Sequence, residues 1–180
     1  LPTKIKKNNK IVKKKFILIL KNLIKGIKHK NRVLVHRDFH VSNIMYFNKN
    51  FFLIDNQDAV FGNKAYDLAS LIDDVRIKIS LKNREKLYKT YVTKNKQKNC
   101  NVLRNDFEIL SILRNLKIIG IFTRLSSRDK KHSYLKMIPY AWRMIDDRRK
   151  TNSKTKELNF FIDKHFPKKI RMKWWKLILL

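Results

Sequence analysis

Three short apolar runs sit close together early in the chain, at residues 33–35, 43–47 and 51–54, with polar loops between them. β-branched and aromatic residues bounded by Asn, Lys and Asp favour strands over helices. The second and third runs flank the polar turn Asn48-Lys49-Asn50 and predict a hairpin. The first run, Val33-Leu34-Val35, leads into a polar loop at His36. Helical spacing surrounds this patch. Ile11, Phe16, Ile19, Leu20, Leu23, Ile24 and Ile27 predict an amphipathic helix over 10–28. Tyr66, Leu68, Ala69, Leu71, Ile72, Val75 and Ile79 predict another, after a loop over 56–64 that holds Gly62. Further helices are expected at 82–96, from Asp106 as cap through Ile119, at about 130–148 with a start or kink near Pro139, and at about 155–165 before Pro167. The expected fold is α+β, mostly α, with a small antiparallel element. Residues 1–180 read as one unit without internal repeats, and 168–180 as a basic, apolar tail.

Composition narrows the class. Hydrophobic residues make up 43% of the 180, enough for a real core. One cysteine, Cys100, excludes a disulfide framework and a cysteine-built zinc site, and makes a reducing, cytoplasmic compartment the default. No apolar run approaches the roughly 20 residues of a membrane span. The formal charge of +30 suits nucleic acid or an anionic membrane. The lysines are scattered, however, and Gly, Pro and Ala are scarce beside Lys, Asn, Ile, Phe and Leu. Such a skew reads as compositional drift with solvated faces.

The polar residues of the β patch carry the chemistry. His36, Asp38 and Asn43 fall in the pattern HxDxxxxN, and the run 51–54 ends in Asp55. A phosphotransferase needs a carboxylate to orient the acceptor hydroxyl and take its proton. It also needs an amide oxygen and a second carboxylate to hold a magnesium ion against the ATP phosphates. Asp38, Asn43 and Asp55 answer those needs in that order. Loop aspartates also serve as turn and cap residues, but that use does not require all three together.

Longer stretches make a resemblance visible. HRDFHVSN (36–43), IDNQDA (54–59) and GNKAYDLASLIDDVR (62–76) resemble the aminoglycoside phosphotransferase and choline kinase superfamily, in particular its bacterial branch of amino-sugar kinases. The likeness continues through Arg114, Gly120, Arg124, Arg128-Asp129 and Pro139 to Trp142, covering about 30–167. It implies a protein-kinase-like C-terminal lobe in which the hairpin carries the catalytic loop. Asp38 would be the base, with His40 beside the transferring phosphoryl group, and Asn43 and Asp55 would bind ATP-bound Mg2+. His36 and Asp67 would support the loop, Asp67 by accepting its backbone N–H groups. Gln57, Asp58, Arg76 and Arg124 are candidates for the substrate side, the two arginines also for helix-packing ion pairs. The implied acceptor is an amino sugar such as N-acetylmuramate or N-acetylglucosamine in cell-wall recycling, phosphorylated at its anomeric hydroxyl. Aminoglycoside, choline and homoserine are the alternatives within the superfamily. This chain departs from the pattern at Asn56, where an aromatic is usual, at Asn63 for Pro, and at Lys130 for Gly.

Kinases of this type grip ATP with an N-terminal β-rich lobe. Gly26, Gly62 and Gly120 are too far apart to form a glycine-rich phosphate loop, and the 35 residues before the catalytic loop are mostly helical in pattern. The expectation is a C-terminal lobe alone, inactive until the other lobe joins it in cis or in trans. The rival is a non-catalytic basic module, supported by the charge and by Trp174-Trp175. Retention of every catalytic residue argues against it.

Overall fold

A computed structural model describes residues 9–28 and 32–172. Helix α1 (Asn9–Lys25) turns one apolar stripe inward. Ile19 and Leu23 are buried one turn apart, Phe16 stacks on Phe161 with ring centroids 5.0 Å apart, and Ile27 follows just past the helix. The opposite face is lysine-rich and exposed. The chain then forms β1 (Arg32–Val35), β2 (Ile44–Phe47), β3 (Asn50–Leu53) and β4 (Val60–Asn63). The predicted hairpin is present, with Ile44 opposite Leu53 and Phe47 opposite Asn50. Its two-residue turn puts both Asn48 and Lys49 at positive φ, the twist that suits a tight hairpin.

One strand lies where the sequence predicts only loop. β4 pairs antiparallel with β1, Arg32 opposite Asn63 and Val35 opposite Val60. Its residues are too few and too mixed for a visible alternation, so only the pairing reveals it. The patch is thus two separate two-stranded sheets, and residues 36–43 cross from one to the other.

Helices α2 (Ala65–Ile72), α3 (Leu81–Lys94), α4 (Cys100–Asp129), α5 (Ile138–Arg149) and α6 (Lys156–His165) complete the fold. α4 is the central post. Its buried Ile109, Ile112, Ile119 and Phe122 join Ile138, Trp142, Ile145, Leu158 and Ile162 with the α1 stripe in one core. A smaller core between α2, α3 and α4 holds Leu68, Ile72, Tyr88, Leu103 and Phe107.

Several boundaries differ from expectation for identifiable reasons. Asp106 is no cap: α4 begins at Cys100 and Asp106 is buried in its second turn. Its carboxylate accepts the Lys28 N–H at 3.1 Å and the Asn63 Nδ2–H at 2.6 Å, pinning the exit of α1 and the end of β4 to α4. α2 stops at Ile72 rather than running to 79. Val75 still enters the main core, and Ile79 is fastened by its backbone to the Tyr140 hydroxyl, so the helical spacing reflects packing of an irregular segment. The segment before Pro139 is a 3-10 turn, His132–Met137, because Pro139 suits a first helical turn. Lys130, where the resemblance expects Gly, ends α4 in the left-handed region at φ 56°, so the turn is kept by a residue poorly suited to it. The tail after 172, with Trp174-Trp175, lies outside the described residues.

A charged layer sits between the helices. Asp73, fully buried just past α2, accepts from Arg84 Nη1 at 2.8 Å and from Arg148 Nε and Nη2 at 2.8 and 2.9 Å, and also from the Ser111 hydroxyl. Glu85 and Arg104 extend this network at the surface. None of the described helices is long and apolar enough to cross a membrane.

Candidate active site

The loop between β1 and β2 is held by its backbone. The Asp67 carboxylate, in the first turn of α2, accepts the His36 N–H at 2.7 Å and the Arg37 N–H at 3.0 Å. Two N–H groups point the same way because Arg37 takes a left-handed φ of 72°. For a bulky residue that conformation costs of order 1–3 kcal/mol, and the charge-assisted bonds to Asp67 offset it. His36 is buried, its Nε2 3.0 Å from the Ile54 carbonyl, so its ring ties the loop to the residue before Asp55. The Arg37 guanidinium reaches the Asp58 carbonyl at 3.3 Å.

Next the loop tightens. The Asp38 carbonyl accepts from the His40 N–H and from Asn43 Nδ2, both at 3.0 Å, and a 3-10 turn, Val41–Asn43, brings Asn43 back beneath Asp38. The Ile54 N–H donates to the Asn43 carbonyl at 3.1 Å, which aligns the end of β3 with the loop. Asn43 Nδ2 then lies 3.4 Å from Asp55 Oδ2, and Gln57 Nε2 donates to Asp55 Oδ1 at 2.6 Å. Asp55 is itself left-handed at φ 67°, a second strained residue at the same place.

The structure therefore gathers His36, Asp38, Asn43, Asp55, Gln57 and Asp67 around one junction, with the Asp58 backbone at its edge. His40 is held against Asp38 by its backbone bond. It is 9% exposed, and burial, followed by the nearby Arg76 charge, holds its imidazole below the ordinary histidine value. Arg76 pairs with Asp74 at 3.0 Å. Arg124 is not part of this group: it is exposed on α4, ten residues and about 15 Å of helix beyond Arg114. Beneath the strand end, Leu34, His36, Phe39, Leu53, Asn56 and Ala59 line a hollow of about 320 Å³. Asn56 stands there in place of the usual aromatic.

Three further residues beside the site escaped sequence reasoning. Asp74 and Arg114 sit close enough to His40, and Tyr66 and Arg114 close enough to Asp38, for electrostatic interaction. Asp74 and Arg114 lay inside the quoted family-like segments, but nothing in their spacing separated them from core residues.

Among the described residues no cluster of three or more His, Cys, Asp or Glu could cage a metal. Asn43 and Asp55 nevertheless offer one amide and one carboxylate, the small donor set of a Mg2+ that draws its remaining ligands from phosphate and water. Both amide hydrogens of Asn43 face the Asp38 carbonyl and Asp55, which leaves its amide oxygen for an ion.

Residues 10–95 match the phosphotransferase enzyme family, APH. The motif resemblance to kinase-type phosphotransferases of that family holds across the β patch and α2. The chain is also similar to several N-acetylmuramate/N-acetylglucosamine kinases. It is 36% identical over 114 residues to that of Neisseria meningitidis serogroup B, covering 60% of this chain and 34% of the relative. For Pseudomonas aeruginosa the figures are 30% over 131 residues, 69% and 38%. For Caulobacter vibrioides they are 29% over 119 residues, 63% and 33%. The matches thus span about a third of the length of these curated relatives.

Proposed function

We propose that this chain is the acceptor- and metal-handling lobe of an ATP-dependent, cytoplasmic kinase acting on an amino-sugar hydroxyl, with N-acetylmuramate or N-acetylglucosamine as acceptor. The observation that carries the reading is the convergence of Asp38, Asn43 and Asp55 from two loops onto one junction that Asp67 braces. In this reading Asp38 orients the acceptor hydroxyl and takes its proton while that oxygen bonds to the γ-phosphorus of ATP and ADP departs. Asn43 and Asp55 would hold Mg2+, which when bound neutralises charge on the phosphates. Gln57 fixes the Asp55 carboxylate. The His40 Nε2–H donates to the transferring phosphoryl group.

The grip on ATP is assigned to a separate lobe, joined in cis or in trans. Support comes from the hairpin, whose apolar side chains have little cover: Tyr46 is 66% and Phe51 76% exposed, with Phe47 and Phe52 beside them. An exposed apolar patch of this kind marks a docking surface. ADP release in the presence of ATP, Mg2+ and N-acetylmuramate tests the reading. It is measured with the chain alone and with the chain extended by the N-terminal part of a related N-acetylmuramate/N-acetylglucosamine kinase. Acceptor-dependent release from the extended form, and little from the chain alone, is expected. Release that does not depend on the sugar would overturn the reading.

A further inference from the structure

His40, Asp74 and Arg114 are electrostatic neighbours, and each has a buried polar atom with no hydrogen-bond partner among the described residues: Nδ1, Oδ2 and Nη1. Their side chains are 9%, 2% and 6% exposed by residue. Each such orphan carries an uncompensated desolvation cost, larger for a charged group, so three in one neighbourhood call for a ligand that completes them. The groups come from three separate elements: the loop after β1, the turn after α2 and the middle of α4. Asp74 Oδ1 is already occupied by the Arg76 backbone N–H at 3.1 Å and its guanidinium at 3.0 Å, which leaves Oδ2 as the free acceptor. Arg114 also lines a cavity of about 610 Å³ with Arg37, Tyr66, Phe61 and Lys117.

The charges of this cluster balance. Asp38 and Asp74 bring two carboxylates, and Arg76 and Arg114 two guanidinium groups. A cationic or an anionic ligand group would leave a net buried charge, whereas a neutral group would not. Ionised Asp accepts only and Arg donates only, so the group must offer one donor and one acceptor of fixed polarity. A secondary amide has that form.

Building on the amino-sugar reading above, we propose that Asp74 and Arg114 recognise the acetamido group of the acceptor, Asp74 Oδ2 taking its N–H and Arg114 Nη1 donating to its carbonyl. His40 Nδ1 closes the same subsite against an adjacent hydroxyl. Asp74 and Arg114 are thus specificity-determining residues and not part of the phosphate machinery. Every atom invoked lies in this chain, so binding is expected without the ATP-gripping lobe.

The test is titration calorimetry of the full chain with N-acetylglucosamine, glucosamine, whose amine is cationic, and glucose. N-acetylglucosamine should bind about tenfold or more tighter than either of the others. Asp74→Asn and Arg114→Met should erase that preference while retaining a cooperative thermal transition. Equal binding of the three sugars, no saturable N-acetylglucosamine binding, or a preference that survives both substitutions would overturn the proposal. The sugar comparison on the unmodified chain stands even where a variant fails to fold. Asp38-dependent transfer to a sugar lacking the acetamido group, at equal efficiency, would sink this inference and leave the kinase reading intact. An acetamido preference without transfer to any sugar would do the reverse.

Discussion

Asp67 shows how one side chain sets the loop between β1 and β2. Its two oxygens each accept one backbone N–H, from His36 and Arg37, and allow a left-handed arginine to persist. In Asp67→Asn one oxygen becomes an NH2 that faces an N–H, so a charge-assisted bond of about 1.5–3 kcal/mol is lost. We expect kcat to fall about tenfold or more with KM little changed, read by steady-state kinetics of the active form. A matching rise in KM would show that Asp67 contacts substrate. Lys130 offers the opposite opportunity. Its left-handed φ strains a side-chain-bearing residue, so Lys130→Gly should raise unfolding free energy by about 1 kcal/mol in urea denaturation. The sequence exposed Asp38, Asn43 and Asp55 because polar residues at fixed spacing between apolar runs have few structural excuses. Asp73 and Asp74 could not be told apart in the same way. They are adjacent identical residues, and only tertiary packing sends one into a structural network and the other toward the site.

At the scale of elements, the helices were legible where one face alternates with lysine, as in α1 and α6. Boundaries were lost where tertiary contacts override spacing. β4 exists because β1 is beside it, and α4 starts early because Asp106 is needed as an acceptor for neighbouring chain segments. The junction of α2, α3, α4 and α5 rests on Asp73. Burial alone would push its carboxyl up, but the hydrogen bond and charge of Arg148, with Arg84 and Ser111, outweigh that and hold it below the usual range. A carboxyl depressed in the folded state contributes stability that is complete above its unfolded value, about 3.9, and is lost as pH falls through the lower folded value. Acid unfolding should therefore gain a component below about pH 4, and Asp73→Asn should remove it. The same substitution leaves Arg84 and Arg148 without their shared counter-charge. It should cost about 3–5 kcal/mol in chemical denaturation near neutral pH. A loss under about 1 kcal/mol would mean that Glu85, paired with Arg148, and Asp147, paired with Arg84, suffice to hold the arginines.

For the whole molecule, the charge of +30 is distributed in an informative way. Asp73, Asp74, Asp106 and Glu108 are buried, whereas every described lysine except half-buried Lys64 is exposed. The scarce acids are spent on the site and on interhelical ties, and the excess cations lie in water. Lysines facing water are the ordinary arrangement of solvated faces. Exposed apolar side chains are frequent on both sheets of the β patch, among them Leu34, Phe47, Phe51 and Phe61. The central claim is that Asp38 drives phosphoryl transfer to a sugar hydroxyl at the junction of Asn43 and Asp55. Phosphorus NMR of the extended protein with ATP, Mg2+ and N-acetylmuramate measures it directly. The account predicts a growing sugar 1-phosphate resonance with the extended protein, and a rate at least about a hundredfold lower in Asp38→Asn. A sugar phosphate that forms equally fast in Asp38→Asn would contradict it.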